Sequence, residues 1–217
     1  MKHLFADTWT LTVRMLKHNV RSVDTIMTVL AMPLLILFAF VFVFGGAMNT
    51  GAIRYVDFVV PVVLLMCIAS GVSYTAFRAN RDVTEGMFTR FRAMPIARPA
   101  LVAGHVLASV IVGAVSVAVI LVVALLIGYR PRADVAGWLV TAGVLTLTLV
   151  AFCLMGVTFG LAAKSAEGSG VFSYLVIGLL FVSSGFAPTS SMPAPLRVFA
   201  DHQPMTYIIN AIRDTQL

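Results

Sequence analysis

The sequence predicts an all-α polytopic membrane protein, an amphipathic lead helix followed by five membrane-spanning helices, and three observations carry that prediction. Of 217 residues, 60% are hydrophobic and 11% charged, with a mean hydropathy of +0.99, where soluble domains are about a quarter charged. Five stretches free of Asp, Glu, Lys and Arg run from Thr25 to Ile53, Phe58 to Phe77, Pro99 to Tyr129, Val135 to Ala163 and Gly168 to Leu196. Each holds the roughly 20 apolar residues that carry a helix across a bilayer. The runs are continuous rather than alternating in polarity, which favours helices over the strands of a transmembrane barrel.

The lead, residues 1–24, places Phe5, Trp9, Val13, Leu16 and Val20 at helical spacing, with Arg14, Lys17, His18 and Arg21 on another face. That pattern is an interfacial helix, with Trp9 at headgroup depth and the basic residues toward anionic lipid. The first span, about 25–46, is too long for a cleavable signal peptide and follows a long polar lead, so it is expected to remain in the mature chain. Pro33 bends it, and Phe38, Phe40, Phe42 and Phe44 face lipid or pack. The second span, 58–77, carries Pro61; the third, 101–127, carries His105 close to one interface; the fourth, 136–163, carries Gly156 and Gly160, a close-packing face. The fifth, 168–186, ends before Pro188, Pro193 and Pro195, which remove backbone donors. Beyond it, Ala194 to Ala200 and Met205 to Arg213 read as short half-buried helices dipping into the far leaflet, the second approaching a further helix.

Basic residues set the orientation. Ten of the fifteen Lys and Arg fall in the lead, the 78–98 connection and the turn at Lys164, against five in the other flanks. The N-terminus is therefore expected on the cytoplasmic side, and the basicity serves topology rather than nucleic-acid binding. The 78–98 connection carries both charge signs among Met87, Phe88, Phe91, Met94 and Ile96, a surface that docks into a groove of another protein, and Gly86 permits a turn closed to other residues.

No chemistry of the chain's own is expected. Gly160 to Ser165 resembles the end of a phosphate-binding loop, but Ala163 stands where Gly must precede Lys164. No zinc-ligand set or Ser-His-acid constellation is spaced for function. Cys67 and Cys153 lie inside apolar runs, away from any disulfide or metal pattern. Intramembrane carboxylates of the kind proton-driven transporters use are lacking. An ATP-independent secondary transporter or a non-transporting accessory membrane protein is the alternative class.

Several segments together resemble the permease subunits of type 2 ABC exporters, particularly the daunorubicin-resistance group. They are Val43 to Ala47, Tyr55 to Pro61, Asp82, Glu85-Gly86, Arg90 to Arg98, Gly104, Ser184 to Pro188, Met192-Pro193 and Pro204 to Thr206. The resemblance implies six spans, the sixth lying beyond the tail, and a coupling helix between the second and third. It implies two permeases, as homodimer or heterodimer in the cytoplasmic membrane, paired with two ATP-binding subunits that hold ATP and Mg; this chain binds no cofactor itself. Asp82, Glu85, Gly86, Arg90, Arg92 and Pro95 fall in the stretch that meets the ATPase, with Trp9, Arg14, Lys17 and Arg21 of the lead helix beside it. The implied function is efflux of an amphiphilic drug or lipid-like substrate by alternating access, with substrate contacts unassigned. Val62 departs from the Gly usual after this proline.

Overall fold

A computed structural model describes residues 4–46, 53–86 and 98–216, and every regular element among them is helical. Helix α1 spans Leu4–Arg21. A helical turn, Val23–Ile26, leads into α2, Met27–Phe44. Three long helices follow: α3 Tyr55–Thr84, α4 Arg98–Ile127 and α5 Val135–Ala162. A one-turn helix, Ala166–Ser169, precedes α6, Val171–Phe181. Two amphipathic helices close the described chain, α7 Ala194–His202 and α8 Pro204–Gln216. Helices α2 to α5 are each long and apolar enough to cross a membrane, so the chain is a multi-pass membrane protein.

Helix α3 is the centre. At 30 residues it is about 45 Å long, and every residue from Asp57 to Ser70 is buried, because α2, α4, α5 and α6 pack around it. The outer helices present apolar stripes instead. Val115, Val119, Val122 and Leu126 are exposed on α4, and Met32, Leu35, Phe38 and Phe42 on α2. Apolar residues on the outside and inside of one fold are what a hydrocarbon solvent permits.

Glycine sets the closest approach. A Cβ on Gly160 would lie 2.3 Å from the Ala76 carbonyl oxygen, and one on Gly156 2.5 Å from Val72 Cγ1. The small-residue face expected on the fourth span is therefore the seam between α5 and α3. Pro33 leaves the Val29 carbonyl without its intrahelical donor, next to a π-helical turn at Met27–Ala31; a second such turn lies at Ala39–Phe44. The Val29 oxygen accepts the Cys67 thiol of α3 at 3.5 Å.

The fifth apolar run is regular helix over only part of its length. Helix α6 has 11 residues, about 16 Å, and the Ser183 to Phe186 turn then carries the chain to the start of α3, where Tyr55 meets Phe186. Ser183 Oγ donates to the Leu180 carbonyl at 2.6 Å and accepts the Gly185 N–H at 3.1 Å, holding that turn. Val62 explains why the turn needs glycine: a Cβ on Gly185 would lie 2.5 Å from Val62 Cβ. The small residue stands on the turn rather than on α3.

Helix α1 differs from the single apolar stripe expected of it. Leu11 and Met15 are buried against Ala100, Leu101 and Ala108 of α4, while Phe5 is 91% and Trp9 59% exposed. The helix thus carries two apolar faces, one for α4 and an outward one suited to lipid. Gly104 permits the docking, since a Cβ there would stand 3.0 Å from Leu11 Cβ.

Candidate partner-coupling site

The charge-free stretch of α3 ends at Phe77, and the next two turns carry Arg78, Asn80, Arg81, Asp82 and Glu85. These turns are anchored from three sides. Asn80 is buried and its Nδ2 donates to the Gly160 and Ala163 carbonyls at 3.1 and 2.6 Å, capping α5. Asp82 Oδ2 lies 3.1 Å from Nε2 of His105 on α4, near enough for ion pairing although not aligned as a hydrogen bond. Arg78 lies over the Tyr74 ring at 5.4 Å, and Tyr74 Oη shares a hydrogen bond with Ser22 Oγ at 3.0 Å, tying the α1–α2 junction to α3.

The helix then stops in an ordered way. Glu85 Oε1 accepts from Arg81 Nε at 2.6 Å. The Glu85 N–H reaches the Arg81 carbonyl at 2.9 Å, and Gly86 follows at φ +71°, the left-handed conformation that ends helices on glycine. Of the residues expected at this site, Arg90, Arg92 and Pro95 lie outside the described residues. The others divide. Arg14, Asp82 and Glu85 line one cleft of about 310 Å³ between α1, α3 and α4, together with His18 and His105. Lys17 and Arg21 line the adjoining hollow with His18 and Ser22, and Trp9 lies apart on the outward face of α1.

At the opposite end of α3 stands a second constellation that sequence reasoning missed. Asp57, buried, accepts from Arg54 Nε at 2.9 Å and from the Arg130 backbone N–H at 3.0 Å, stapling the start of α3 to the turn after α4. Arg213 of α8 is the larger clamp. Its Nη2 donates to the Phe58 carbonyl at 3.1 Å and the Ser184 carbonyl at 3.0 Å, and its guanidinium sits 3.9 Å from the centroid of the Phe58 ring. Burial pushes its pKa down to about 10, so it stays charged at neutral pH. Tyr55 Oη donates to the Phe186 carbonyl at 3.1 Å beside it. The available signal was Arg213 itself, a lone cation in an apolar amphipathic segment, but its partners lie 29 and 155 residues away.

One continuous helix therefore joins a charged end beside α1 to a clamped turn at the other end. The sequence model of the ABC-2 type transporter family matches residues 6–217. The chain belongs to that family. It is 30% identical over 189 residues to a daunorubicin resistance ABC transporter permease protein, DrrB1, of Streptomyces coeruleorubidus, covering 86% of this chain and 66% of that one. A probable doxorubicin resistance ABC transporter permease protein, DrrC, of Mycobacterium tuberculosis is 26% identical over 214 residues, covering 96% of this chain and 76% of the relative. The chain thus spans about two thirds to three quarters of the length of these permeases.

Proposed function

We propose that this ABC-2 type chain is the membrane-spanning permease subunit of an ATP-driven exporter that moves an amphiphilic drug or lipid-like substrate outward. The observation that carries the proposal is the gathering of Arg14, Asp82 and Glu85 in one cleft at the end of α3, where Gly86 turns the chain into the 87–97 connection. Two permease copies, alike or different, would pair with two ATP-binding subunits in the cytoplasmic membrane, the N-terminus facing the cytoplasm. ATP and Mg would be held on those subunits, and the chemistry they supply is hydrolysis that opens and closes the nucleotide-binding dimer. Asp82, Glu85, Gly86, Arg90, Arg92 and Pro95 would meet the ATPase, with Trp9, Arg14, Lys17 and Arg21 of α1 alongside.

The chain's own part is transmission. Movement imposed on the 78–98 connection acts on α3, and the glycine seam obliges α5 to follow because their backbones touch. At the far end Arg213 joins the Phe58 and Ser184 carbonyls, so the Ser183–Phe186 turn moves with α3. Alternating access follows where the two arrangements differ in affinity for substrate, since a ligand or nucleotide shifts only what it binds differentially. The relatives' names speak of daunorubicin and doxorubicin resistance, and a charge-poor apolar route suits amphiphiles of that kind. The test is Glu85→Arg in cells carrying the partner ATPase: membrane insertion is retained and ATP-coupled export is lost. Unchanged export in that variant overturns the assignment of the docking end.

A further inference from the structure

The cleft between α1, α3 and α4 gathers basic side chains, and its neighbour adds two more. Arg14, Arg78, Arg81 and His18 line it, and Lys17 and Arg21 line the adjoining hollow. Asp82 and Glu85 line the same cleft. Glu85 is taken by Arg81 at 2.6 Å and Asp82 faces His105 at 3.1 Å, so no carboxylate among the described residues lies within ion-pairing distance of Arg78. The cleft is also built at a particular depth. The roughly 20 charge-free residues from Phe58 to Phe77 fill a hydrocarbon core of about 30 Å, which places Arg78 and Arg81 in the headgroup layer directly beyond it. The wall that continues toward the core is aromatic, formed by Tyr74 and by Phe77, 41% exposed. A cationic hollow at headgroup depth over an apolar wall fits a molecule with an anionic head and acyl chains.

We propose that this cleft binds the phosphodiester headgroup of an anionic phospholipid, with Arg78 as its central cation, Arg14, His18 and Arg81 around it, and Phe77 against the acyl chains. Lipid rather than free phosphate is favoured because Phe77, an exposed apolar ring, lines the same cleft as Arg78. Arg78 is preset for the role by its seat over Tyr74. The binding is independent of the exporter reading and is measured without any ATPase. A lipid bound here would brace α1 against α3 beside the coupling residues.

The test is native mass spectrometry of the purified full chain in detergent, with phosphatidylglycerol and phosphatidylcholine added in equal amounts. The expected result is retention of phosphatidylglycerol in preference to phosphatidylcholine, falling about fivefold in Arg78→Gln, the effect of one interfacial cation. Arg78→Lys, which keeps the charge, retains the preference, as does Arg197→Gln, which removes an exposed pair at the other end of the molecule. Folding of each variant is checked by the inaccessibility of Cys67 and Cys153 to a thiol reagent. Equal retention of the two lipids by the unaltered chain overturns the proposal. So does an unchanged preference in Arg78→Gln, or displacement of the lipid by millimolar inorganic phosphate, which would make this a site for the free anion.

Discussion

Gly160→Ala should loosen the molecule out of proportion to its one added methyl group. The new Cβ would lie 2.3 Å from the Ala76 carbonyl oxygen and 2.9 Å from its carbonyl carbon and Cα. All three are backbone, so no side chain can swing aside. A carbon–oxygen contact relaxes at about 3.3 Å, which requires α5 and α3 to part by about 1 Å. Such overpacking costs about 1–3 kcal/mol. The same displacement stretches the Asn80 Nδ2 bond to the Gly160 carbonyl, now 3.1 Å, past hydrogen-bonding range, for about 1 kcal/mol more. Alanine's better helix propensity returns about 1 kcal/mol, leaving a net loss of about 1–3 kcal/mol. For a chain of this size that lowers the melting temperature by about 3–10 °C. The assay is built in: Cys67 of α3 and Cys153 of α5 are buried free thiols, so a thiol-reactive dye added during heating in detergent reports the opening of these helices. Gly143→Ala on the same helix, where an added Cβ meets nothing within 4 Å, is the control and melts at or above the parent temperature. If the two variants melt together, the glycine seam does not set the approach of α3 and α5.

Two further substitutions probe the ends of the central helix. Arg213→Met leaves the Phe58 and Ser184 carbonyls without their charged donor and should cost about 2–3 kcal/mol; proteolysis within residues 183–193 rises in detergent. Arg213→Lys restores little, because one ammonium replaces neither the guanidinium plane over the Phe58 ring nor the second nitrogen, Nη1, that donates to Asn210 Oδ1 at 3.3 Å. Gly104→Val pushes α1 from α4 at the 3.0 Å contact with Leu11. Met15→Cys in that background becomes reactive to a maleimide, whereas Met15→Cys alone stays protected, Met15 being buried in the parent fold.

The membrane-spanning elements were legible because lipid leaves a helix no alternative. Without water, backbone groups pair within the helix, and the length of a charge-free run becomes the length of the span. The fifth run is helical over only part of its length, for a local reason. Its Ser183-Ser184-Gly185 turn is as free of charge as a helix, and only the approach of Gly185 to Val62 shows why the helix gives way to a turn there. On α1, periodicity identified Phe5 and Trp9 but assigned one apolar face to a helix that has two, since an interfacial helix meets lipid on one side and protein on the other. Gly86 was readable as a turn, and its positive φ agrees. The pairings that define the two ends of α3 were hidden. Asp82 with His105, Asn80 with the end of α5 and Arg213 with Phe58 join residues 23 to 155 positions apart, and single-sequence spacing has no handle on such distances.

The central claim is that the Asp82–Gly86 end of α3 touches an ATP-hydrolysing partner, and site-directed cross-linking tests it most directly. Val83→Cys places a thiol on that end, where Val83 is exposed, while the native cysteines are buried. Phe199→Cys places one on exposed α7 at the far end. Co-expressed with its ATP-binding subunit and treated with a short bifunctional maleimide, the Val83→Cys chain should give a covalent adduct with that subunit and the Phe199→Cys chain none. An adduct from Phe199→Cys alone, or none from either chain when the subunit co-purifies, would contradict the account.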